Sequence, residues 1–271
     1  MKITVITVSF NEEKNIARTV ESVLNQTSCD FEYIICDGKS TDRTVEIAEK
    51  YKAKFAKKGV DYIINSEKDK GIYDGMNKGI ELATGDYVYF LNAGDWFYSD
   101  DVIEKVVSGA LLHDKPDVVY GDAIGVDRSV VNVIKSDDSR LTESMTICHQ
   151  ALFASAKIMK EKKFNLNYRI AADYDFLLSL KLSGGSFVGL GFVIAYYSYD
   201  GVSTVNVDAC YNEQADIRES YGLPVDRKKL KKSIKKEKMA QKIKSLMPQK
   251  LWILWSVKVK KKQVVHIGNK K

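Results

Sequence analysis

The chain has 271 residues, 45% hydrophobic and 29% charged, with a net charge of +6. That is a globular composition, enough for one large domain or one domain with an appendage. No uncharged run reaches the ~20 apolar residues that cross a bilayer, and the opening Met1-Lys2-Ile3-Thr4-Val5-Ile6-Thr7-Val8 is too short and threonine-broken for a signal peptide.

Residues 3–8 alternate β-branched side chains and read as a first buried strand. Asn11 is expected to cap the helix that follows, with Glu12 and Glu13 in its first turn and Ile16, Val20, Val23 and Leu24 on its apolar face. Phe31–Cys36 is a second strand, followed by a helix from Thr41-Asp42 that carries Val45, Ile47, Ala48 and Tyr51. Val60–Ile64 is a third strand. Ile72, Met76, Ile80 and Ala83 then mark a third helix, and Tyr87–Leu91 a fourth strand. A helix over 101–112 and a strand over 117–120 continue the unit. Residues 121–150 read as short, partly antiparallel strands. Phe176–Leu180 is helical, 186–205 strand-like, and a further helix begins near Tyr211.

Strand–helix alternation of this kind makes a doubly wound, mostly parallel α/β sheet. Each early strand ends in a polar cluster: Ser9-Phe10-Asn11, Asp37-Gly38, Glu67-Lys68-Asp69 and Asn92 to Asp95. In a parallel sheet these gather at one edge, where open α/β sheets bind ligands. The fourth strand stops abruptly at Asn92-Ala93-Gly94-Asp95, which puts a lone carboxylate beside a central strand end. Such a carboxylate suits Mg²⁺ or Mn²⁺ with diphosphate oxygens completing the shell. Neither a Gly-x-Gly-x-x-Gly after the first strand nor a P-loop is present. The cysteines at 29, 36, 148 and 210 have no paired metal-site spacing and read as reduced, mostly buried thiols of a cytoplasmic protein.

Four blocks together resemble glycosyltransferase family 2: Thr7–Asn11, Asp37–Asp42, Glu67–Gly79 and Gly85–Asp95, in that order and spacing over about residues 1–205. The resemblance implies the GT-A fold with a small antiparallel sheet, a nucleotide-sugar donor, a divalent metal (Mg²⁺ or Mn²⁺) and inversion at the anomeric carbon. It places Phe10 against the base and Asp37 on the uracil imide N–H. Lys68, Asp69 and Asn92 fall in the nucleotide pocket, unless 68–69 is only an exposed loop. Asp95 is the expected metal ligand, although Asn92 and Gly94 stand where the family commonly has carboxylates. Asp74, Asn77 or Lys78 is expected to orient the donor. Trp96 is expected to wall the acceptor pocket, or else to be packing beside a core strand. His149 is expected to touch acceptor, diphosphate or metal, or else to be a buried structural residue. Asp173 matches the catalytic base, which takes the acceptor hydroxyl proton. Asp175, a ~200° step further round a helix, faces elsewhere as a cap or structural partner.

From Arg227 to Lys262 the chain is crowded with Lys, interleaved with Met239, Ile243, Leu246 and the run Leu251-Trp252-Ile253-Leu254-Trp255. A basic amphipathic helical tail of this kind suits the interface of an anionic membrane, where each Lys adds ~1 kcal/mol. The alternatives are RNA binding or docking on the catalytic domain. The expected organisation is a GT-A domain over 1–222, nucleotide-binding over 1–120 and acceptor-binding over 121–222, with the tail over 223–271. The expected activity is inverting transfer from a nucleotide-sugar, UDP-linked by preference, to a saccharide hydroxyl. The acceptor is free or lipid-linked, as in surface polysaccharide synthesis. The enzyme would lie at the inner face of the cell membrane, with no nucleic-acid partner. The rival readings are a sugar nucleotidyltransferase and a non-catalytic nucleotide-binding scaffold.

Overall fold

The computed structural model describes residues 1–127, 130–199, 201, 205–258 and 263–264. In chain order it forms β1 (Ile3–Ser9), α1 (Ile16–Leu24), β2 (Phe31–Asp37), α2 (Thr44–Glu49), α3 (Lys52–Lys58), β3 (Tyr62–Ser66), α4 (Ile72–Leu82), β4 (Tyr87–Phe90) and β5 (Trp96–Phe97). There follow α5 (Val102–Leu112), β6 (Val118–Asp127), β7 (Val130–Ile134), β8 (Leu152–Ser155), α6 (Ala156–Lys162), α7 (Ala172–Leu182) and β9 (Phe187–Ser198). The C-terminal region holds α8 (Val207–Ser220), α9 (Arg227–Leu246), α10 (Gln249–Lys258) and β10 (Gln263–Val264).

Strand β1 is buried along its whole length, and its two faces enter different cores. Ile6 and Val8 join Met76 and Ile80 of α4, whereas Ile3 and Val5 join Ile16, Val20 and Val23 of α1. Such a strand must be apolar on both faces, which is what the β-branched run supplies. Strands β3, β2, β1 and β4 lie parallel in that order. Helix α4 approaches closely because Gly75 and Gly79 face β1: a Cβ would come within 2.9 Å of Val8 at the first and 2.7 Å of Ile6 at the second.

Past β4 the sheet turns antiparallel. β8 pairs with both β4 and β6, and β7 with β6. β9 runs parallel to β6 and antiparallel to β5. The predicted strand at 117–120 thus runs on to Asp127, because β9 continues alongside it and β7 takes over from β8 as partner of its second half. The predicted second helix is split into α2 and α3 at Lys50-Tyr51. Asn11 does not cap α1, which starts only at Ile16. Its φ is +56° and its Oδ1 accepts from Thr41 N–H at 2.9 Å, so it ties two loops together instead. The last residues of the predicted 186–205 strand, 200 and 202–204, and the basic run 259–262 lie outside the described residues.

At the opposite edge of the sheet from the polar clusters, Glu32 is 2% exposed. It accepts from Thr4 Oγ1, from Thr84 N and Oγ1 and from Gly85 N, and pairs with Lys2 at 3.0 Å. Burial alone would raise its pKa. The hydrogen bonds and the ammonium outweigh it and hold the carboxyl at about 2, below an ordinary 4.5. A depressed carboxyl stabilises the fold above its unfolded pKa and loses that contribution as pH falls towards the folded value. Between pH 4.5 and about 2, Glu32 is therefore expected to give up about 3 kcal/mol. Urea midpoints at neutral pH and near pH 3 should show it, and Glu32→Gln should shrink the difference. An equal difference in that variant would mean that Glu32 is not the source of the acid sensitivity.

Candidate active site

The carboxyl ends of β1, β2 and β3 are laced together by one carboxylate. Asp37, 2% exposed, accepts from Ser9 Oγ at 3.2 Å, from Ser40 N at 2.8 Å, from Ser40 Oγ and from Ser66 Oγ at 2.7 Å. A carboxylate offers about four lone-pair sites, and all are taken. The expected contact of Asp37 with a uracil imide therefore needs one of these serines to let go. The adjoining loops are tied in the same way. Asn11 N donates to Ser40 Oγ, Glu12 N to Thr44 Oγ1 and Glu13 N to Asp42 Oδ2, at 2.7–3.0 Å. This lacing leaves Phe10 outside, 61% exposed.

Asp69 keeps one carboxylate oxygen free of donors. Its Oδ1 accepts from Gly71 N at 3.0 Å, while Oδ2 has no hydrogen-bond donor among the described residues and lies 2.7 Å from where a Cβ on Gly38 would stand. Lys68 is exposed, and its carbonyl accepts from Lys78 Nζ at 2.7 Å. Asp74 accepts from Lys70 N at 2.9 Å, which shapes the start of α4. Asn77 has both amide atoms bonded to the backbone of Phe164, at 2.9 and 2.8 Å. Its structural bond leaves little of the amide for a sugar.

The loop after β4 is pinned from α1. Thr19 Oγ1 donates to Asp95 O and accepts from Gly94 N, and Arg18 Nη2 donates to Gly94 O at 2.6 Å. The Arg18 guanidinium also stands 3.8 Å over the Trp96 ring, which stacks on Tyr196 at 5.1 Å. Trp96 is half-buried between these two neighbours. Asp95 is 6% exposed, with Oδ1 on Ser198 N–H at 3.3 Å. Burial pushes its carboxyl up to about 7, against the Ser198 N–H, Gln150 and Arg18. One of its oxygens is thus already engaged by the backbone of β9. Among the described residues no three acidic, His or Cys side chains converge on one point. Asn92 Oδ1 is buried without a partner, but one amide oxygen is not a resident metal site. Among the described residues this loop therefore offers no preformed metal site of its own, and Asp95 could serve a cation only with donor diphosphate oxygens completing the shell.

Asp173 lies in the first turn of α7 and is 15% exposed. Its Oδ1 accepts from Tyr174 N and faces Tyr73 OH, both at 2.9 Å. The Tyr73 hydroxyl also faces Ile170 O at 2.8 Å. Oδ2 points to His149 Nδ1 at 3.6 Å. His149 stacks on Phe90 at 5.7 Å, and both its ring nitrogens are buried without a partner. Burial holds its pKa below the ordinary value, against the pull of Asp173, so the ring is neutral near pH 7. Asp175 turns away, as the helical step requires, and takes the Tyr221 hydroxyl at 3.0 Å.

Two residues beside the base carry no signal that sequence reasoning picks out. Tyr73 lies inside the Glu67–Gly79 block, but the charged and amide members of that block are the ones that read as functional. Glu213 of α8 accepts from Arg169, Ile170 and Ala171 N–H at 2.8–3.0 Å and so fixes the turn that leads into Asp173. No local signal pairs residues 42–44 positions apart.

A model of the family described as glycosyl transferase family 2 matches residues 4–174. The chain belongs to that family, and so to a family of transferases. A PGL/p-HBAD biosynthesis glycosyltransferase of Mycobacterium bovis is 35% identical over 173 residues, 64% of this chain and 66% of that one. The chain therefore spans just under two thirds of that curated relative. Among solved structures, S. aureus TarS in complex with UDP-GlcNAc superposes with a TM-score of 0.62 at 21% identity, over 73% of this chain and 58% of that one. The mannosyltransferase PcManGT of Pyrobaculum calidifontis, in complex with GDP-Man and Mn2+, gives 0.62 at 14% identity, over 83% and 65%. At these identities the likeness is one of fold, and the fold is GT-A.

Proposed function

We propose that this family 2 chain transfers a sugar from a nucleoside-diphosphate donor to a hydroxyl of a saccharide acceptor, with inversion and with Asp173 as the base. The observation that carries the reading is the Asp173 carboxylate. Tyr174 N–H and the Tyr73 hydroxyl hold one oxygen, and the other faces the unpartnered nitrogens of His149. In the step itself, the acceptor oxygen bonds to the anomeric carbon as its proton passes to Asp173 Oδ2. The bond from that carbon to the diphosphate breaks, and its electron pair leaves with the phosphate oxygen. A positioned base of this kind contributes about 10²–10⁴-fold. Neutral His149 packs between Phe90 and this carboxylate, with Nδ1 3.6 Å from Oδ2, and backs the base from inside the protein.

For the donor, Phe10 is the exposed platform for the base, and Asp69 Oδ2 is a carboxylate oxygen without a hydrogen-bond donor beside it among the described residues. A uridine diphosphate is favoured, in keeping with the UDP-GlcNAc complex of the TarS neighbour. A divalent cation would enter on the diphosphate of the donor, as the described residues form no resident site for one. Stacking of a base on an aromatic ring is worth about 1–3 kcal/mol. Phe10→Ala is therefore expected to weaken UDP binding about 5- to 150-fold in titration calorimetry, with little change in melting temperature because the ring is 61% exposed. Unchanged affinity would take Phe10 out of the donor site.

A further inference from the structure

We propose that α9 and α10 form a docking surface for an anionic phospholipid bilayer, on which the protein lies without crossing it. Helix α9 carries ten Lys or Arg and one Glu in 20 residues. Arg227 pairs with Asp216 and Glu219, Lys238 with Asp208, and Lys244 with Asp127 at 2.8 Å. These pairs lock the tail to the folded domain. Among the described residues no carboxylate lies within ion-pair distance of Lys231, Lys235 or Lys242, and these three line a groove of about 550 Å³ beside α8, together with Met239.

Apolar side chains emerge next to that charge. Met239, Ile243 and Leu246 recur at the spacing of one helix face and are 54%, 55% and 75% exposed. Leu251 and Leu254 of α10 are exposed as well, whereas Trp252 is turned inward at 5%. A helix surface that joins such lysines to outward aliphatic side chains matches the boundary of anionic headgroups and acyl chains. Single-stranded nucleic acid would instead call for exposed aromatic stacking surfaces, and here the outward side chains are aliphatic. No described helix is long and apolar enough to span. The sequence pattern alone points the Trp residues at the lipid. The structure buries Trp252 and leaves that role to the Leu, Ile and Met side chains.

The test uses the full-length protein and needs no donor, so it stands or falls apart from the transferase reading. The protein is sedimented with phosphatidylcholine vesicles, with and without about one third phosphatidylglycerol, at about 50 and 500 mM salt, where screening lengths differ severalfold. It is expected to pellet only with the anionic vesicles and only at low salt. Leu246→Ser/Leu251→Ser/Leu254→Ser alters exposed positions alone and is expected to weaken binding at least about tenfold, as is Lys231→Gln/Lys235→Gln/Lys242→Gln. Unchanged circular dichroism melts will show that both variants fold. Failure to pellet with anionic vesicles overturns the proposal. So does a leucine variant that binds vesicles as well as the parent while both bind single-stranded RNA equally, because the surface is then a general polyanion site.

Discussion

Asp173→Asn is expected to lower sugar transfer about 10²–10⁴-fold and to leave nucleotide affinity within a factor of about two. An amide keeps the shape and can still accept from Tyr174 N–H and the Tyr73 hydroxyl, so the start of α7 should hold. What it cannot do is take a proton. Single-turnover transfer from a UDP-sugar, beside calorimetric titration with UDP, separates the two effects. Equal loss in both would mean that Asp173 shapes the pocket and the base lies elsewhere. Tyr73→Phe makes a milder companion. It removes one hydroxyl from Asp173 Oδ1 and from Ile170 O, so the carboxylate should lose orientation more than basicity.

Asp37→Ala is expected to be the most damaging change for stability near the site. It strands the hydroxyls of Ser9, Ser40 and Ser66 and one backbone N–H, all within a region where Asp37 is 2% exposed. Hydrogen bonds to a charged group are worth about 1.5–3 kcal/mol each and are not additive. A total near 3 kcal/mol or more corresponds to a fall of about 6–12 °C in melting temperature for a domain of this size. The same variant should lose nucleotide binding, because the loops that display Phe10 and Gly38 hang on this carboxylate. Asp37→Asn tells structure from recognition. If Asp37 contacts the base directly, the amide variant should melt normally and bind UDP poorly. If it is the brace of these loops, stability and binding should fall together.

The parallel half of the sheet was legible because strands buried on both faces announce themselves as uninterrupted β-branched and aromatic runs, as in β1, β2 and β4. The polar blocks at their ends could be located for the same reason. What those side chains do was harder to read. Asp37 and Asn77 sit where ligands are expected, yet both are engaged by nearby protein groups. The partners of Asn77 and two of those of Asp37 come from 28 to 87 residues away. Asp95 has an acidic side chain on a turn, which reads as outward. In the fold, β9 and Gln150 close over it, and burial raises its pKa. The Tyr73–Asp173–His149 cluster joins three separate segments, with Tyr73 and Asp173 100 residues apart. Composition and spacing carry no record of such meetings.

The most direct test of the donor site is thermal melting with UDP, GDP, TDP and CMP, each with and without Mn²⁺. A ligand that binds only the native state raises the melting temperature according to its affinity. The expected result is no shift with Mn²⁺ alone, because the Asn92–Asp95 loop makes no resident metal site, and a clear shift with one nucleotide, UDP by preference. No shift with any nucleotide, with or without Mn²⁺, would contradict a working donor site and leave a non-catalytic scaffold as the better reading of the chain.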